Sequence, residues 1–409
     1  MRVATMRAVD RTLGKPLCWF LTRLRRLLPE PRQSEPDTVR KVLFVKLSEM
    51  GAIVLAAPAI AEARRVFPNA EPYLLCFDEN AEIAELAAGI PAERVLQVPT
   101  GGFVTTLRSL VSAILRLRRE RFDVVIDLEY LSRVGAALTY MTGAPVRVGY
   151  HRFEAEGLYC GDLYTHRLTF NTYLHIAQSM VTMAVAAARP ADEVPLVKVV
   201  PPRLEDLVLP RFEASDADLA RVSALLAAQM VPAGAEILLV NPNSSDLLPL
   251  RRWPFENFVE LCRILRDRRP DAWVVLTGAA HERELGDRVM EALQDGAGGA
   301  TRCVSLIGMT SLRELLTLFT MSRLLVSADS GPPHFAALTN LRCVTLFGPE
   351  TPELYGPVND RNRALTLGLA CSPCINAWNR RVSPCNDNVC MTGMAAAWVA
   401  EAALAQMEG

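Results

Sequence analysis

The sequence predicts an α/β protein with two doubly wound domains, each built on a parallel sheet. The chain has 409 residues, of which 50% are hydrophobic, so it is long and apolar enough for two cores of ordinary size. Short apolar runs alternate with stretches of helical periodicity, which is the pattern of strand-helix-strand units. The alternation stops in a proline-rich stretch at 190–210 and then begins again. We therefore expect a domain boundary within that stretch.

Composition and charge argue against several classes of function. The formal net charge of -1 gives no global basic field, which argues against nucleic acid as the main partner. Neither half carries a Gly-x-Gly-x-x-Gly fingerprint, which weakens a dehydrogenase interpretation. Six cysteines are scattered along the chain, and most lie in apolar segments where a disulfide has no obvious partner, which predicts a cytoplasmic protein with reduced thiols. They are Cys18, Cys76, Cys160, Cys262, Cys303 and Cys343.

A basic segment and linker, residues 1–37, precede the first domain. Residues 1–33 contain eight basic and two acidic side chains, a local charge of +6. The apolar run is too short to span a bilayer, and no signal-peptide cleavage site follows it. The segment is expected either to lie on the anionic inner face of the cytoplasmic membrane or to pack on the protein or a second subunit. Its apolar residues recur at helical spacing: Leu17, Phe20, Leu21, Leu24 and Leu28.

The first domain is predicted to span 38–190. A helix is expected at 52–67, kinked or beginning at Pro58, and a basic helix at 107–121. The turn Ser48-Glu-Met-Gly51 follows the first buried strand. Strands are predicted at 41–47, 73–77, 95–98, 124–128 and 146–149.

The second domain is predicted to span 211–392, after a linker at 191–210. A last helix within 393–409 is expected to return to the first domain. The two domains are expected to face a ligand cleft with their strand ends. Strands of the second domain are predicted at 237–241, 273–278, 303–306, 324–327 and 343–347.

Polar or small residues follow four successive strands of the second domain. The carboxyl ends of parallel strands share one edge of a sheet, so these loops are expected to surround one ligand, which suits a nucleotide diphosphate. Arg251 precedes a helix start at Trp253-Pro254, where its guanidinium is suited to clamp phosphate. The candidate binding residues in the first three loops are Asn243, Ser244, Thr277, Gly278 and Met309.

The fourth loop, Asp329-Ser-Gly-Pro-Pro-His334, joins a buried strand to a predicted helix. Free backbone N–H groups and the helix dipole favour an anion at such a helix start, and Gly331 lets a phosphate approach the backbone. Asp329, Ser330 and His334 are placed to reach the same ligand. The alternative is an ordinary strand-to-helix turn with a capping serine and a structural histidine.

Four motifs in their order along the chain resemble the lipopolysaccharide heptosyltransferases, glycosyltransferase family 9. The resemblance extends over about 41–357. It is carried by Lys46-Leu-Ser-Glu-Met-Gly51 with the later Pro58-Ala, Arg252-Trp-Pro254, Asp329-Ser-Gly-Pro-Pro-His334 and Leu346-Phe-Gly-Pro349.

This resemblance implies a GT-B fold, a nucleotide-sugar donor bound mainly by the second domain and an acceptor bound by the first. It implies inverting chemistry without a metal, with ADP-heptose or a similar donor and a lipid-linked or cell-envelope saccharide as acceptor. Asp329, Ser330, Gly331 and His334 match the family's donor motif. Arg251 stands where the family commonly has a basic residue that contacts donor phosphate.

One departure concerns the catalytic base. An aspartate normally follows the glycine of the family's first loop, but this chain has Ala52 there, which cannot accept a proton. Glu49, three residues earlier, is the first candidate for the base that deprotonates the acceptor hydroxyl. Glu129, in Asp127-Leu-Glu-Tyr130 at a strand end, is the second. A solvated or helix-capping role is the alternative for Glu49.

The C-terminal tail carries four clustered cysteines. A Cys-x-x-Cys pair with two further cysteines is compatible with a structural zinc site, and the same ligands suit an iron-sulfur cluster. Unligated thiols or a local disulfide are the alternatives. The residues are Cys371, Cys374, Cys385 and Cys390.

The sequence thus predicts an inverting glycosyltransferase in the cytoplasm or on the inner face of the cytoplasmic membrane. A nucleotide-sugar epimerase is the second hypothesis, and it would change the sugar without any acceptor. A catalytically inactive sugar-nucleotide-binding subunit of an envelope assembly complex is the third, because of Ala52.

Overall fold

The computed structural model describes residues 10, 12–29, 35–101, 103–151, 160–193, 195–242, 248–294, 302–376, 379 and 381–408. The chain divides into two units, Met1–Pro210 and Arg211–Gly409. Each unit contains one parallel sheet with helices, so the predicted α/β class is confirmed.

The sheet of the first unit has six strands in the order β3-β2-β1-β4-β5-β6, and every neighbouring pair is parallel. The sixth strand was not predicted, because its three residues include two polar ones. The strands are β1 Lys41–Val45, β2 Glu71–Phe77, β3 Val95–Val98, β4 Val124–Asp127, β5 Val146–Tyr150 and β6 His166–Leu168.

Helices cover this sheet because its strands are apolar on both faces. In β1, Leu43, Phe44 and Val45 are fully buried. Helix α2 begins at Met50 and runs through Pro58, so the helix does not start at that proline. The helices are α1 Gly14–Leu27, α2 Met50–Val66, α3 Ala81–Ala88, α4 Phe103–Glu120, α5 Arg133–Met141 and α6 Ile176–Ala186. Helix α1 packs on α5, and α2 packs on α6.

The sheet of the second unit also has six parallel strands, in the order β12-β11-β10-β7-β8-β9. Its edge strand β12 was not predicted. The strands are β7 Ile237–Asn241, β8 Trp273–Leu276, β9 Cys303–Ser305, β10 Leu324–Ala328, β11 Arg342–Leu346 and β12 Asn362–Leu365.

The last helix belongs to the core of the second unit. It packs against α8 and β11, and Val399 and Ala403 on it are fully buried. The expectation that this helix returns to the first domain is therefore wrong. The helices of this unit are α7 Asp216–Ala228, α8 Phe255–Arg268, α9 Arg283–Gln294, α10 Leu312–Thr320, α11 Gly331–Ala336, α12 Pro352–Tyr355, α13 Val389–Thr392 and α14 Ala396–Glu408.

The strand order sets which loops meet. In the first sheet β1 lies between β2 and β4, so the loops after β1 and β4 are neighbours. In the second sheet β10 lies between β7 and β11, which brings together the loops after these three strands. Among the described residues, no helix combines the length and apolar character that crossing a membrane requires.

Candidate active site

A largely buried arginine lies at the carboxyl edge of the second sheet. Arg251 ends the 3₁₀ turn Pro249–Arg251 just before α8. Its Nε lies 3.1 Å from Oδ2 of Asp329, at the end of β10, and its Nη1 donates to the Asp329 carbonyl at 3.4 Å. Its Nη2 forms an ion pair with Glu350, which follows β11. Arg251 and Asp329, each predicted separately to bind the donor, are therefore in direct contact.

Glu350 and Arg381 belong to the same cluster, although sequence reasoning missed both. The Glu350 side chain is fully buried and accepts a hydrogen bond from Arg381 Nε at 3.1 Å. Two guanidinium groups and two carboxylates thus share one site, which neutralises buried charge. Glu350 directly follows the quoted Leu346-Phe-Gly-Pro349 at a strand end, a signal that identifies it in retrospect.

The cysteine-bearing tail braces this cluster. The side-chain amide of Asn388 donates to the carbonyls of Leu250 and Arg252 at 3.0 and 3.1 Å, on both sides of Arg251. The backbone N–H of Cys374 donates to the carbonyl of Pro349 at 3.0 Å, next to Glu350. No sequence motif signals these contacts, because the tail lies more than a hundred residues from Arg251.

The loop after β10 forms the predicted strand-to-helix turn. Ser330 is the residue before α11, and its hydroxyl donates to the Ala328 carbonyl at 3.0 Å and lies 3.1 Å from that of Ser327. A Cβ on Gly331 would come within 3.0 Å of the Phe335 ring, so glycine suits this close packing. His334 is buried in the helix. Because α11 has only six residues, its dipole is small, and charged side chains must supply most of the attraction for an anion.

Hydrogen bonds join the loops after β7, β8 and β9. The side-chain amide of Asn241 donates to the Thr277 carbonyl at 2.9 Å, and the N–H of Gly308 donates to the Gly278 carbonyl at 2.9 Å. A Cβ on Gly278 would lie 2.6 Å from Oε2 of Glu282, so a larger residue here would displace that carboxylate. Met309 is 39% exposed at the same edge. Two further predicted binding residues, Asn243 and Ser244, lie outside the described residues.

In the first unit, Glu49 lies in the turn between β1 and α2. It is half-buried, has a φ of 72° and precedes the helix. Its side chain makes no hydrogen bond that caps α2, which argues against the helix-capping alternative. A non-glycine residue with positive φ is strained, and such strain persists where the surroundings enforce it, often at functional sites.

Glu129, the second candidate base, holds the loop after β1 in place. Its Oε1 accepts hydrogen bonds from the N–H groups of Leu47 at 2.7 Å and Ser48 at 3.3 Å. The same oxygen lies 3.2 Å from Nζ of Lys46, whose side chain is only 3% exposed. Three donors on one oxygen hold this carboxylate in a fixed orientation and tie it to the backbone of the loop. The arrangement therefore favours a positioning role for Glu129.

Asp127 lies beneath Glu129 and was not among the predicted site residues. It accepts hydrogen bonds from Tyr164 Oη at 2.7 Å and from the Glu129 N–H at 3.0 Å. Burial raises the pKa of Asp127 from 3.8 to about 7, against the opposing effect of these hydrogen bonds. A Cβ on Gly135 would lie 2.7 Å from its Oδ2. The sequence signal that could have identified Asp127 is a charged residue at the end of an apolar strand.

Of the four tail cysteines, Cys390 lies in helix α13 and the other three lie in irregular chain before it. Cys371 and Cys385 are exposed, Cys374 is half-buried and Cys390 is buried. Burial, followed by the neighbouring thiols, raises the pKa of Cys390 to about 11. Within the described ranges, no three His, Cys, Asp or Glu side chains are close enough together to hold a metal ion. The zinc site therefore stays a prediction.

Comparison with known proteins identifies the family. The model of glycosyltransferase family 9 (heptosyltransferase) matches residues 111–382, which is more than half of the chain. Lipooligosaccharide heptosyltransferase 2 of Haemophilus influenzae is 26% identical over 254 residues, covering 61% of this chain and 67% of that protein. Lipopolysaccharide heptosyltransferase 2 of Escherichia coli is 33% identical over 119 residues, covering 29% of this chain and only 33% of that protein.

The structural comparison agrees over a longer stretch. The structure of E. coli ADP-heptose lps heptosyltransferase II superimposes with a TM-score of 0.66 at 19% identity, covering 90% of this chain and 98% of that one. This likeness shows the GT-B fold that the motifs implied. With the family match over 111–382, it establishes that the chain belongs to glycosyltransferase family 9, the heptosyltransferase family.

Proposed function

We propose that this protein transfers heptose from ADP-heptose to a lipid-linked core saccharide of lipopolysaccharide, with inversion at the anomeric carbon. The observation that carries the proposal is the placement of Arg251 against Asp329 at the edge of the second sheet, in a member of family 9. The names of the relatives supply the sugar and the acceptor class.

The second unit is proposed to bind the donor diphosphate. Asp329 and Glu350 fix the guanidinium plane of Arg251, so no side-chain ordering is required when the ligand arrives. Arginine has five N–H donors, and a guanidinium held by carboxylates can still donate to phosphate oxygens. The loop residues Thr277, Gly278 and Met309 follow neighbouring strands of the same sheet, where we place the nucleoside.

The first unit is proposed to supply the base through Glu49. The acceptor hydroxyl oxygen forms a bond to the anomeric carbon while the bond from that carbon to the diphosphate oxygen breaks. Glu49 takes the hydroxyl proton, and ADP leaves with its charge stabilised by Arg251 and the turn Ser330–His334. We propose that this chemistry needs no metal, as the family resemblance implies. We place the reaction in the cytoplasm, at the inner face of the membrane that carries the acceptor.

A transfer assay tests the proposal and separates it from the alternatives. The full chain is incubated with ADP-heptose, with and without a heptose-deficient lipid-linked core acceptor, and ADP release and acceptor mass are measured. We expect ADP release that depends on the acceptor, together with an acceptor heavier by one heptose. An altered sugar nucleotide without acceptor would support the epimerase hypothesis. ADP-heptose binding without any turnover would support the inactive subunit that Ala52 suggests.

A further inference from the structure

Helix α1 is attached to the first unit by one face only. Gly14, Cys18, Leu21 and Thr22 are buried and recur at helical spacing. The Cys18 thiol donates to the carbonyl of Arg133 on α5, and the face thus packs on that helix. The rest of the α1 circumference is accessible.

A second face of α1 is apolar and exposed. Its members are related by spacings of three, four, seven and eight residues, which return to the same side of a helix, so they form one stripe along α1. We call this set the apolar stripe: Leu13 at 57% exposed, Leu17 at 37%, Phe20 at 58%, Leu27 at 83% and Leu28 at 53%. Five large apolar side chains exposed in line exceed the scattered exposure that is normal for a soluble surface.

A third face, the basic flank, lies between the apolar stripe and the buried face and consists of Lys15, Arg23 and Arg26, all exposed. The helix Gly14–Leu27 contains no acidic residue. Arg25 differs from these three, because it pairs with Asp162 at 2.7 Å and is largely buried. Within the part of the chain that the structure describes, the three flank residues form no ion pair.

We propose that α1 is a membrane-docking helix that lies flat in the headgroup region of an anionic bilayer. The apolar stripe enters the acyl boundary while the basic flank contacts lipid phosphates, which is the arrangement of interfacial amphipathic helices. A second copy of the chain is a poorer occupant, because its own basic flank would meet like charge at the interface. The inference rests on the proposed function in one respect: a lipid-linked acceptor would give the docking its purpose.

Vesicle binding of the full chain tests the proposal. The stripe variant is Phe20→Ser with Leu27→Ser, the flank variant is Lys15→Gln with Arg23→Gln and Arg26→Gln, and both leave the buried face intact. The control is Val208→Ser with Met230→Ser, which removes apolar side chains that are 78% and 80% exposed outside α1. Co-sedimentation is measured with phosphatidylglycerol-containing vesicles and with pure phosphatidylcholine vesicles, at low and high salt.

We expect the wild type and the control to bind anionic vesicles and to bind phosphatidylcholine weakly. The stripe variant should lose about tenfold or more in partitioning. The flank variant should lose on the order of 100-fold, at about one kcal/mol for each basic residue, together with most of the salt dependence. The proposal would be overturned if wild-type protein did not co-sediment with anionic vesicles, or if the stripe and flank variants bound them as tightly as wild type. The proposal would also be overturned if wild-type protein were a dimer without vesicles and the stripe variant were a monomer.

The same variants separate this inference from the proposed function. With a delipidated, water-soluble core saccharide, both variants should transfer heptose at the wild-type rate, because neither touches the candidate active site. With the acceptor in anionic vesicles, both should be slower than wild type. Vesicle binding without any heptose transfer would support the membrane-docking role of α1 and contradict the proposed function.

Discussion

Two glutamates after neighbouring strands of one sheet are in different environments. Glu129 accepts three contacts on one oxygen and ties Lys46, Leu47 and Ser48 together. Glu49, at the end of that braced loop, is half-buried in a strained conformation. Glu129 thus positions the loop, and Glu49 is the residue we expect to accept the proton.

Glutamine substitutions distinguish these roles. Glu49→Gln keeps size and hydrogen bonding but removes basicity, so we expect turnover to fall roughly 100-fold with little change in donor affinity or melting temperature. Glu129→Gln leaves the buried Lys46 without its counter-ion and should cost about 3 kcal/mol of stability. Turnover is measured by ADP release, and stability by thermal unfolding. Abolished turnover in Glu129→Gln with normal turnover in Glu49→Gln would assign the base to Glu129.

Asp127 makes stability depend on pH. Its pKa is raised to about 7 in the folded protein, so between about pH 4 and pH 7 the folded state binds a proton that the unfolded state has lost. This contribution is complete below pH 4 and disappears as pH rises through 7. It amounts to at most about 4 kcal/mol. Asp127→Asn should flatten the decline in melting temperature between pH 4 and 7, and an unchanged slope in that variant would show that another group is responsible.

Single residues were predictable where a motif or a strand end marked them. Arg251, Asp329 and His334 follow this rule, and the structure places the first two in contact. Arg381 does not, because its position on Glu350 depends on the path of an irregular tail that has no periodic pattern. Lys46 belongs to one of the family motifs, but its ion pair with Glu129 forms because β1 and β4 are neighbours in the sheet. The strand order cannot be read from the sequence alone.

At the scale of elements, the tail after β12 acts as a brace for the candidate site. Asn388 donates to the carbonyls on both sides of Arg251, so Asn388→Ala should loosen that turn. We expect ADP affinity to fall several-fold and stability to fall by about 1 kcal/mol. Asn69→Ala is the matched control, because that amide also donates to a backbone carbonyl, in the first unit. Isothermal titration with ADP measures the effect, and an unchanged affinity in Asn388→Ala would show that the brace has no role in binding.

The metal content of the same tail is a separate prediction. If Cys371, Cys374, Cys385 and Cys390 hold zinc, purified protein should carry about one equivalent, and Cys374→Ser should release it. Elemental analysis of protein prepared without chelator decides the matter. A metal-free wild-type protein would remove the zinc site and leave four thiols.

Apolar periodicity predicted most of the helices and strands. The elements that it did not predict were missed for physical reasons. The unpredicted strands β6 and β12, each at one edge of its sheet, have only three and four residues and include polar side chains, so they lack a clear apolar run. Helix α14 was expected, but its packing on α8 was not. An alanine-rich helix fits closely against many surfaces, so its composition does not identify its neighbour.

At the scale of the whole molecule, the near-zero net charge conceals a local asymmetry. Residues 1–33 carry a charge of +6 within a chain whose total is -1. The remaining surface is therefore net acidic, which would repel an anionic bilayer outside the basic segment. The charge distribution fits a protein that meets the membrane through one element.

We place the donor-nucleotide site at the edge of the second sheet, around Arg251, Asp329 and His334. Calorimetric titration with ADP, GDP and UDP tests it most directly, using wild type, Arg251→Ala and His334→Ala, with Arg269→Ala as control. Arg269 pairs with Glu236 at 2.7 Å and is 42% exposed, so it matches Arg251 in chemistry but lies outside the site. Thermal unfolding first establishes that each variant is folded.

We expect wild type to bind ADP more tightly than GDP or UDP. Arg251→Ala should lose at least about tenfold in ADP affinity, and His334→Ala should also bind ADP more weakly than wild type. Arg269→Ala should bind ADP like wild type. Unchanged ADP affinity in folded Arg251→Ala and His334→Ala proteins would contradict the assignment of this edge as the donor site.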